Sequence, residues 1–110
     1  MFKTVHHHLS IQRLVNEHLE HVDFLKIYYL EDIPRIGDRV YVGNRPAVIL
    51  PEVVYVVWEP AKHKVHLRLE MSRPLTSYEV DSVVADGWAN EVADLKLKRP
   101  AAPTPRRRGV

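Results

Sequence analysis

The fold is decided by residues 53–71, which read VVYVVWEPAKHKVHLRLEM. Over 65–71 apolar and polar side chains alternate, which is the pattern of a strand with one buried face. The run Val53–Trp58 is apolar at every position, and such a strand needs cover on both faces. Between them, 60–63 begins with proline and turns the chain. This stretch therefore predicts two neighbouring strands.

Further strands are predicted upstream of this stretch. Phe24–Leu30 is rich in aromatic and branched residues, which favour strands. Arg39–Val42 and Ala47–Leu50 flank Gly43-Asn44, a dipeptide typical of a two-residue hairpin turn. Pro51 lacks a backbone donor, so we expect a bulge or a bend of the sheet there.

Two helices are predicted to flank the strands. The first spans about 10–22, because one set of apolar residues recurs there at helical spacing: Ile11, Leu14, Val15, Leu19 and Val22. The second spans about 76–86. Thr76 and Glu79 have the spacing of a capping box, and Gly87 is suited to end the helix.

The order of elements predicts an α+β fold in one domain, 1–98, with strands over about 24–72. We expect a small, strongly bent antiparallel sheet or a partly open β-barrel of about four to six short strands, flanked by the two helices. Glu91–Lys98 is predicted to form a last short strand, with an irregular helix as the alternative. The Pro/Arg-rich tail 99–110 is predicted to be disordered or extended.

Composition excludes several kinds of site in this 110-residue chain. With no cysteine, it has no disulfide, thiolate zinc site or iron–sulfur cluster. Its four glycines are too far apart for a P-loop or a dinucleotide fingerprint. The net charge of +2 arises in the tail, since residues 1–98 hold 12 Lys and Arg against 14 Asp and Glu. A folded nucleic-acid-binding surface usually carries its own basic excess.

Catalytic and metal-binding signals are weak. The common nucleophile and zinc-protease motifs are absent from the sequence, so we expect a protein that is not an enzyme and has no cofactor. On the predicted first helix, Glu17, His18 and His21 are spaced to share a face and are the weak candidates for a metal site. A third ligand would have to come from His6–His8, His63 or His66, and nothing in the sequence brings these close. We therefore predict no metal site.

Two segments are candidates for contact with partners. The apolar strand, with nearby aromatic side chains, predicts a partner-binding surface of Val54, Val56, Trp58, Tyr28 and Tyr41. The alternative is that the domain covers both faces of this strand itself. In the tail, four arginines suit phosphates or an acidic partner: Arg99, Arg106, Arg107 and Arg108.

The sequence thus predicts a non-enzymatic interaction or assembly module in a larger complex, of which a virus or phage particle is one example. The expected partner is another protein or a second copy, with no membrane contact. Two alternatives remain: a nucleic-acid-associated accessory protein using the arginine tail, and a small metal-dependent enzyme. No targeting segment is visible, so we expect a soluble protein that is intracellular at synthesis.

Overall fold

The computed structural model describes residues 1–91, which form one mixed five-stranded sheet and one α-helix. The elements are β1 (Lys3–Val15), β2 (His18–Leu30), β3 (Glu52–Glu59), β4 (Lys64–Glu70), α1 (Ser77–Ala85) and β5 (Ala89–Asn90). The strands lie in the order β3-β4-β1-β2-β5, so the sheet is open, with β3 and β5 at its edges. A short 3-10 helix, Pro60–Lys62, turns the chain between β3 and β4, as predicted.

The longest strands, β1 and β2, form an antiparallel hairpin with a two-residue turn. Asn16 and Glu17 occupy the turn with positive φ angles of 50° and 66°. Positive φ at both central residues is the requirement of a type I′ turn, whose twist matches that of the flanking strands.

The predicted helix over 10–22 is therefore wrong. Its apolar residues divide into two groups along the hairpin. Ile11 and Val22 face each other and are buried in the core. Leu14 and Leu19 also face each other, but at the far end, where they are 59% and 57% exposed. One helical stripe would have buried all of these side chains together.

Two further expectations about the sheet need correction. It is not purely antiparallel, because β1 and β4 pair in parallel. The stretches 39–42 and 47–50 are not strands of the sheet; they meet at a single bridge, where Val42 and Ile49 exchange backbone hydrogen bonds of 3.0 and 2.9 Å. The bulge expected near Pro51 lies in β3, between Val53 and Tyr55.

The helix predicted over 76–86 is confirmed as α1. Thr76 Oγ1 accepts a 3.1 Å hydrogen bond from the Glu79 amide, and Glu79 Oε1 accepts one of 3.0 Å from the Thr76 amide. This is the predicted capping box. Arg73 donates two hydrogen bonds to the Glu79 carboxylate and lowers its pKa to about 2. Gly87 follows the helix with a φ of 91°.

The core lies on one face of the sheet. Alternate residues of β1, β2 and β4 point into it, and Val80 and Val83 of α1 pack there together with Val42 and Ile49 of the 31–51 loop. No second helix covers the opposite face within residues 1–91, so the prediction of two flanking helices is wrong. We call this opposite face the open face.

No helix in the described part of the chain is long and apolar enough to cross a bilayer. Residues 92–110 lie outside the description. The predicted last strand (apart from Glu91), the predicted tail and its four arginines therefore remain predictions.

Candidate functional site

The outer edge of β3 is the first candidate surface. β3 pairs with β4 on one side only. On the other side, residues 1–91 cover only the beginning of β3: Gly37 donates to the Val53 carbonyl and the Val53 amide donates to Asp38, both at 2.8 Å. Among residues 1–91, no strand pairs with the outer edge over Tyr55–Glu59. We call this segment the free edge.

The side chains of the free edge are apolar on both faces of the sheet. Val56 and Trp58 lie opposite the buried Leu67 and Val65, and so share the core side. Val56 packs against the core, while Trp58 at the rim is 51% exposed. Tyr55, 58% exposed, and the half-buried Val57 lie on the open face.

The predicted partner-binding residues do not form one patch. Val54, Val56 and Trp58 all lie on β3, with Val54 at the bulge. Tyr28 lies on β2 against His7, with ring centroids 4.6 Å apart. Tyr41 lies in the 31–51 loop and accepts a hydrogen bond from Arg45. Sequence reasoning also left out Tyr55, the most exposed of the free-edge aromatic residues.

The argument for Glu17, His18 and His21 as metal ligands fails, because these residues do not lie on a helix. Glu17 lies in the hairpin turn, and His18 and His21 lie on β2. Their spacing therefore no longer places them on one helical face. Within residues 1–91, no group of three or more His, Asp or Glu side chains is arranged to hold a metal ion.

Ser10, His21 and Asp23 meet on the open face but do not form a catalytic triad. His21 Nε2 lies 3.2 Å from Ser10 Oγ and 2.9 Å from Asp23 Oδ1. A triad uses the two different nitrogens of the imidazole, one toward the nucleophile and one toward the carboxylate. Because a single nitrogen makes both contacts here, this arrangement does not activate Ser10.

A histidine cluster occupies the centre of the open face. The parallel register of β1 and β4 places His6 beside His66, and His8 follows two residues along β1 on the same face. The ring of His66 lies between the other two, with centroids 4.9 Å from His6 and 5.4 Å from His8. Strand alternation thus brings together residues that are about 60 positions apart in the sequence.

Hydrogen bonds join two of these rings and two carboxylates into a chain. His66 Nε2 lies 2.6 Å from Glu59 Oε1, and His66 Nδ1 lies 3.2 Å from His8 Nε2. The other nitrogen of His8, Nδ1, lies 3.2 Å from Glu91 Oε1. The bond from His66 lowers the pKa of Glu59. We call His8 and His66 the histidine pair.

The histidine pair lies at a pocket of about 340 Å³. Asp23, Glu91 and Arg68 also line it. Arg68 is already engaged, donating from Nε to Glu70 at 2.9 Å and from Nη2 to Ser10 at 3.4 Å. The pocket thus combines imidazole nitrogens with the carboxylates of Asp23 and Glu91 and the guanidinium of Arg68.

His7, between His6 and His8 in the sequence, points the other way, into the core. It is 2% exposed, and its Nδ1 lies 3.3 Å from the Val5 carbonyl oxygen. Burial lowers the pKa of His7 to about 4. Burial and the neighbouring His66 also lower the pKa of His6. Once 6–8 is known to be a strand, alternation alone separates the three rings; the sequence reasoning missed this because it placed them before a helix.

Comparisons of this chain with protein-family models, with curated proteins and with solved structures gave no match.

Proposed function

We propose that this chain is a non-enzymatic assembly module that pairs with a second copy of itself through the free edge of β3. The observation that carries the proposal is that Tyr55–Glu59 combines an outer edge without a strand partner in residues 1–91 with apolar side chains on both faces. Unpaired edges of this kind are templates for strand addition.

A second copy fits this edge because the segment is self-complementary in one antiparallel register. Centred on Val57, the register sets Val56 opposite Trp58 of the second copy, and Trp58 opposite its Val56. Aromatic and β-branched cross-strand pairs of this type each contribute about 0.2–1 kcal/mol. On the open face, Val57 would meet Val57.

Charge and local geometry favour the same register. Glu59 falls opposite Tyr55 rather than opposite another carboxylate, so like charges do not face each other. The bulge near Val53 and the segment 37–40 lie outside the paired stretch. The paired residues therefore belong to the regular part of β3.

The charge of the described residues does not favour nucleic acid as the partner. They contain 10 Lys and Arg against 13 Asp and Glu. A role for Arg99, Arg106, Arg107 and Arg108 on phosphates or on an acidic partner remains a separate prediction for the tail.

Replacement of Val57 tests the proposal, because this residue pairs with itself across the symmetry axis. Sedimentation equilibrium of the full chain should show a dimer. V57K should be monomeric, since two like charges would then lie directly opposite each other. V57E should behave in the same way, and an equimolar mixture of V57K and V57E should regain the dimer.

L14K, a change at the exposed hairpin end, is the matched control and should leave the dimer intact. Circular dichroism of each variant checks that the fold is retained. A wild-type chain that stays monomeric at sub-millimolar concentration would refute the proposal. A folded V57K that still forms the dimer would do the same.

A further inference from the structure

We propose that His8 and His66 share one proton, and that gain of a second proton or loss of the shared one separates the two rings. The histidine pair is then a pH-sensitive contact on the open face. Nε2 of His8 and Nδ1 of His66 face each other across 3.2 Å, which is a hydrogen-bond distance. Both rings belong to the same chain, so the proposal does not depend on the proposed dimer.

The carboxylates at the two ends of the hydrogen-bond chain determine which nitrogens carry protons. An ionised carboxylate only accepts, so His66 donates from Nε2 to Glu59 and His8 donates from Nδ1 to Glu91. The bond from His66 lowers the pKa of Glu59, which keeps this carboxylate ionised. In the neutral rings, the two nitrogens that face each other therefore carry lone pairs and no proton.

The number of added protons decides whether the facing nitrogens attract or repel each other. With none, two lone pairs oppose each other; with two, two N–H groups do. With one, the protonated nitrogen donates to the lone pair of the other. The rings meet nearly head-on, since their planes differ by 28° and their centroids lie 5.4 Å apart while the nitrogens lie 3.2 Å apart. This geometry is the one that a single shared proton stabilises.

The groups around the pair favour one added positive charge. Charged and titratable side chains near it come from all four long strands and from the end of the described chain: His6, Asp23, Tyr55, Glu59, Lys64, Arg68 and Glu91. Glu59 and Glu91 bond to the rings directly and stabilise a proton on them. His6 does not compete for this proton, because burial and the neighbouring His66 lower its pKa.

A second proton is opposed by the first. The two charges would lie on facing rings, with Lys64 and Arg68 on β4 nearby, and like charges at such short range disfavour each other. The bond between His66 and Glu59, at 2.6 Å, is shorter than that between His8 and Glu91, at 3.2 Å. His66 is thus the more firmly held ring, and we expect His8 to turn away.

Opening of the pair interrupts a connection between distant parts of the chain. Glu59 is the last residue of β3, and Glu91 is the last described residue. The bonds through His66 and His8 join these two carboxylates into one chain. Protonation of histidine clusters is a common way to switch such contacts. The pH would therefore control whether the end of β3 is connected to β1 and Glu91.

Proton uptake by each ring, followed by NMR of the ¹⁵N-labelled full chain, tests the proposal. The pH is lowered from about 8, through the range in which imidazoles change charge, while circular dichroism shows the chain to be folded. In wild type, both rings should respond together as the first proton binds, and again as the second separates them. In H8Q, His66 should respond in one step, because coupled steps need both groups.

A scalar coupling between the ¹⁵N nuclei of His8 Nε2 and His66 Nδ1 should appear between the two steps and disappear on either side. H18Q, at an exposed histidine of the same hairpin, is the matched control and should keep both steps and the coupling. E59Q should move the first step to lower pH, because one negative charge fewer stabilises the proton. Identical His66 curves for wild type and a folded H8Q would refute the proposal. Absence of the coupling between the two steps would also overturn it.

Discussion

Acidification from about pH 7.5 to about pH 4.5 is expected to lower the free energy of unfolding by about 2.5 kcal/mol through His7 alone. Burial lowers the pKa of His7 from 6.5 to about 4. Between these two values the unfolded chain binds a proton at His7 and the folded chain does not, so stability falls as the pH falls. Each pKa unit corresponds to about 1.36 kcal/mol, and the loss is nearly complete near pH 4.

Urea denaturation of wild type and of H7L across this pH range is the assay. Leucine is apolar and of similar size, so H7L should lose the part of the pH dependence that His7 contributes, whatever its absolute stability. The contribution of His6, whose pKa is also lowered, should remain in both proteins. Glu79 does not produce the same pH dependence. Its pKa is lowered from 4.5 to about 2, so its contribution to the free energy of unfolding is lost mainly below pH 4.5. The exposed H18Q should retain the wild-type slope. Equal slopes for wild type and H7L would refute the reasoning.

Two further predictions concern stability at neutral pH, measured by urea denaturation. T76A should lower the free energy of unfolding by about 1 kcal/mol, because the amide of Glu79 loses its acceptor, whereas T76S should stay close to wild type. G43A should be more destabilising than G37A, by about 1 kcal/mol or more. Both glycines have positive φ, but a Cβ at Gly43 would lie 2.9 Å from Ser82 Oγ and 3.0 Å from a backbone oxygen, while one at Gly37 would meet nothing within 4 Å. Equal losses at the two glycines would contradict the steric argument.

Local patterns predicted the elements that local interactions determine. The alternation over 65–71 identifies β4, and the capping box identifies α1. Both signals are local, because the two faces of a strand alternate from residue to residue and the amides at a helix start are bonded by side chains within three residues. The hairpin of β1 and β2 was missed for two reasons. Its turn, Asn16-Glu17, has no glycine to mark the positive φ angles. Its apolar residues also fit a helical period, and only the tertiary structure shows that some of them lie beyond the core.

The contact between His8 and His66 could not be predicted from the sequence. Both residues were available as chemical candidates, but their contact depends on the parallel register of β1 and β4, which joins positions 58 residues apart. Composition and spacing hold no information on such a register. The free edge was the more accessible site, since its two apolar faces are visible in the sequence, although nothing local showed that β3 lies at the end of the sheet.

The central position of β1 has a consequence for the order in which the protein folds during synthesis. β1 and β2 leave the ribosome first and can close as a hairpin, but the second edge of β1 is satisfied only by β4, which ends 40 residues after β2. At roughly 5–20 residues per second, that edge stays without its partner for about 2–8 s. During this interval the nascent hairpin presents an unpaired strand that any extended segment nearby could occupy. The strand at the middle of the finished sheet is thus synthesised first but is paired on both sides only after residue 70 has been added.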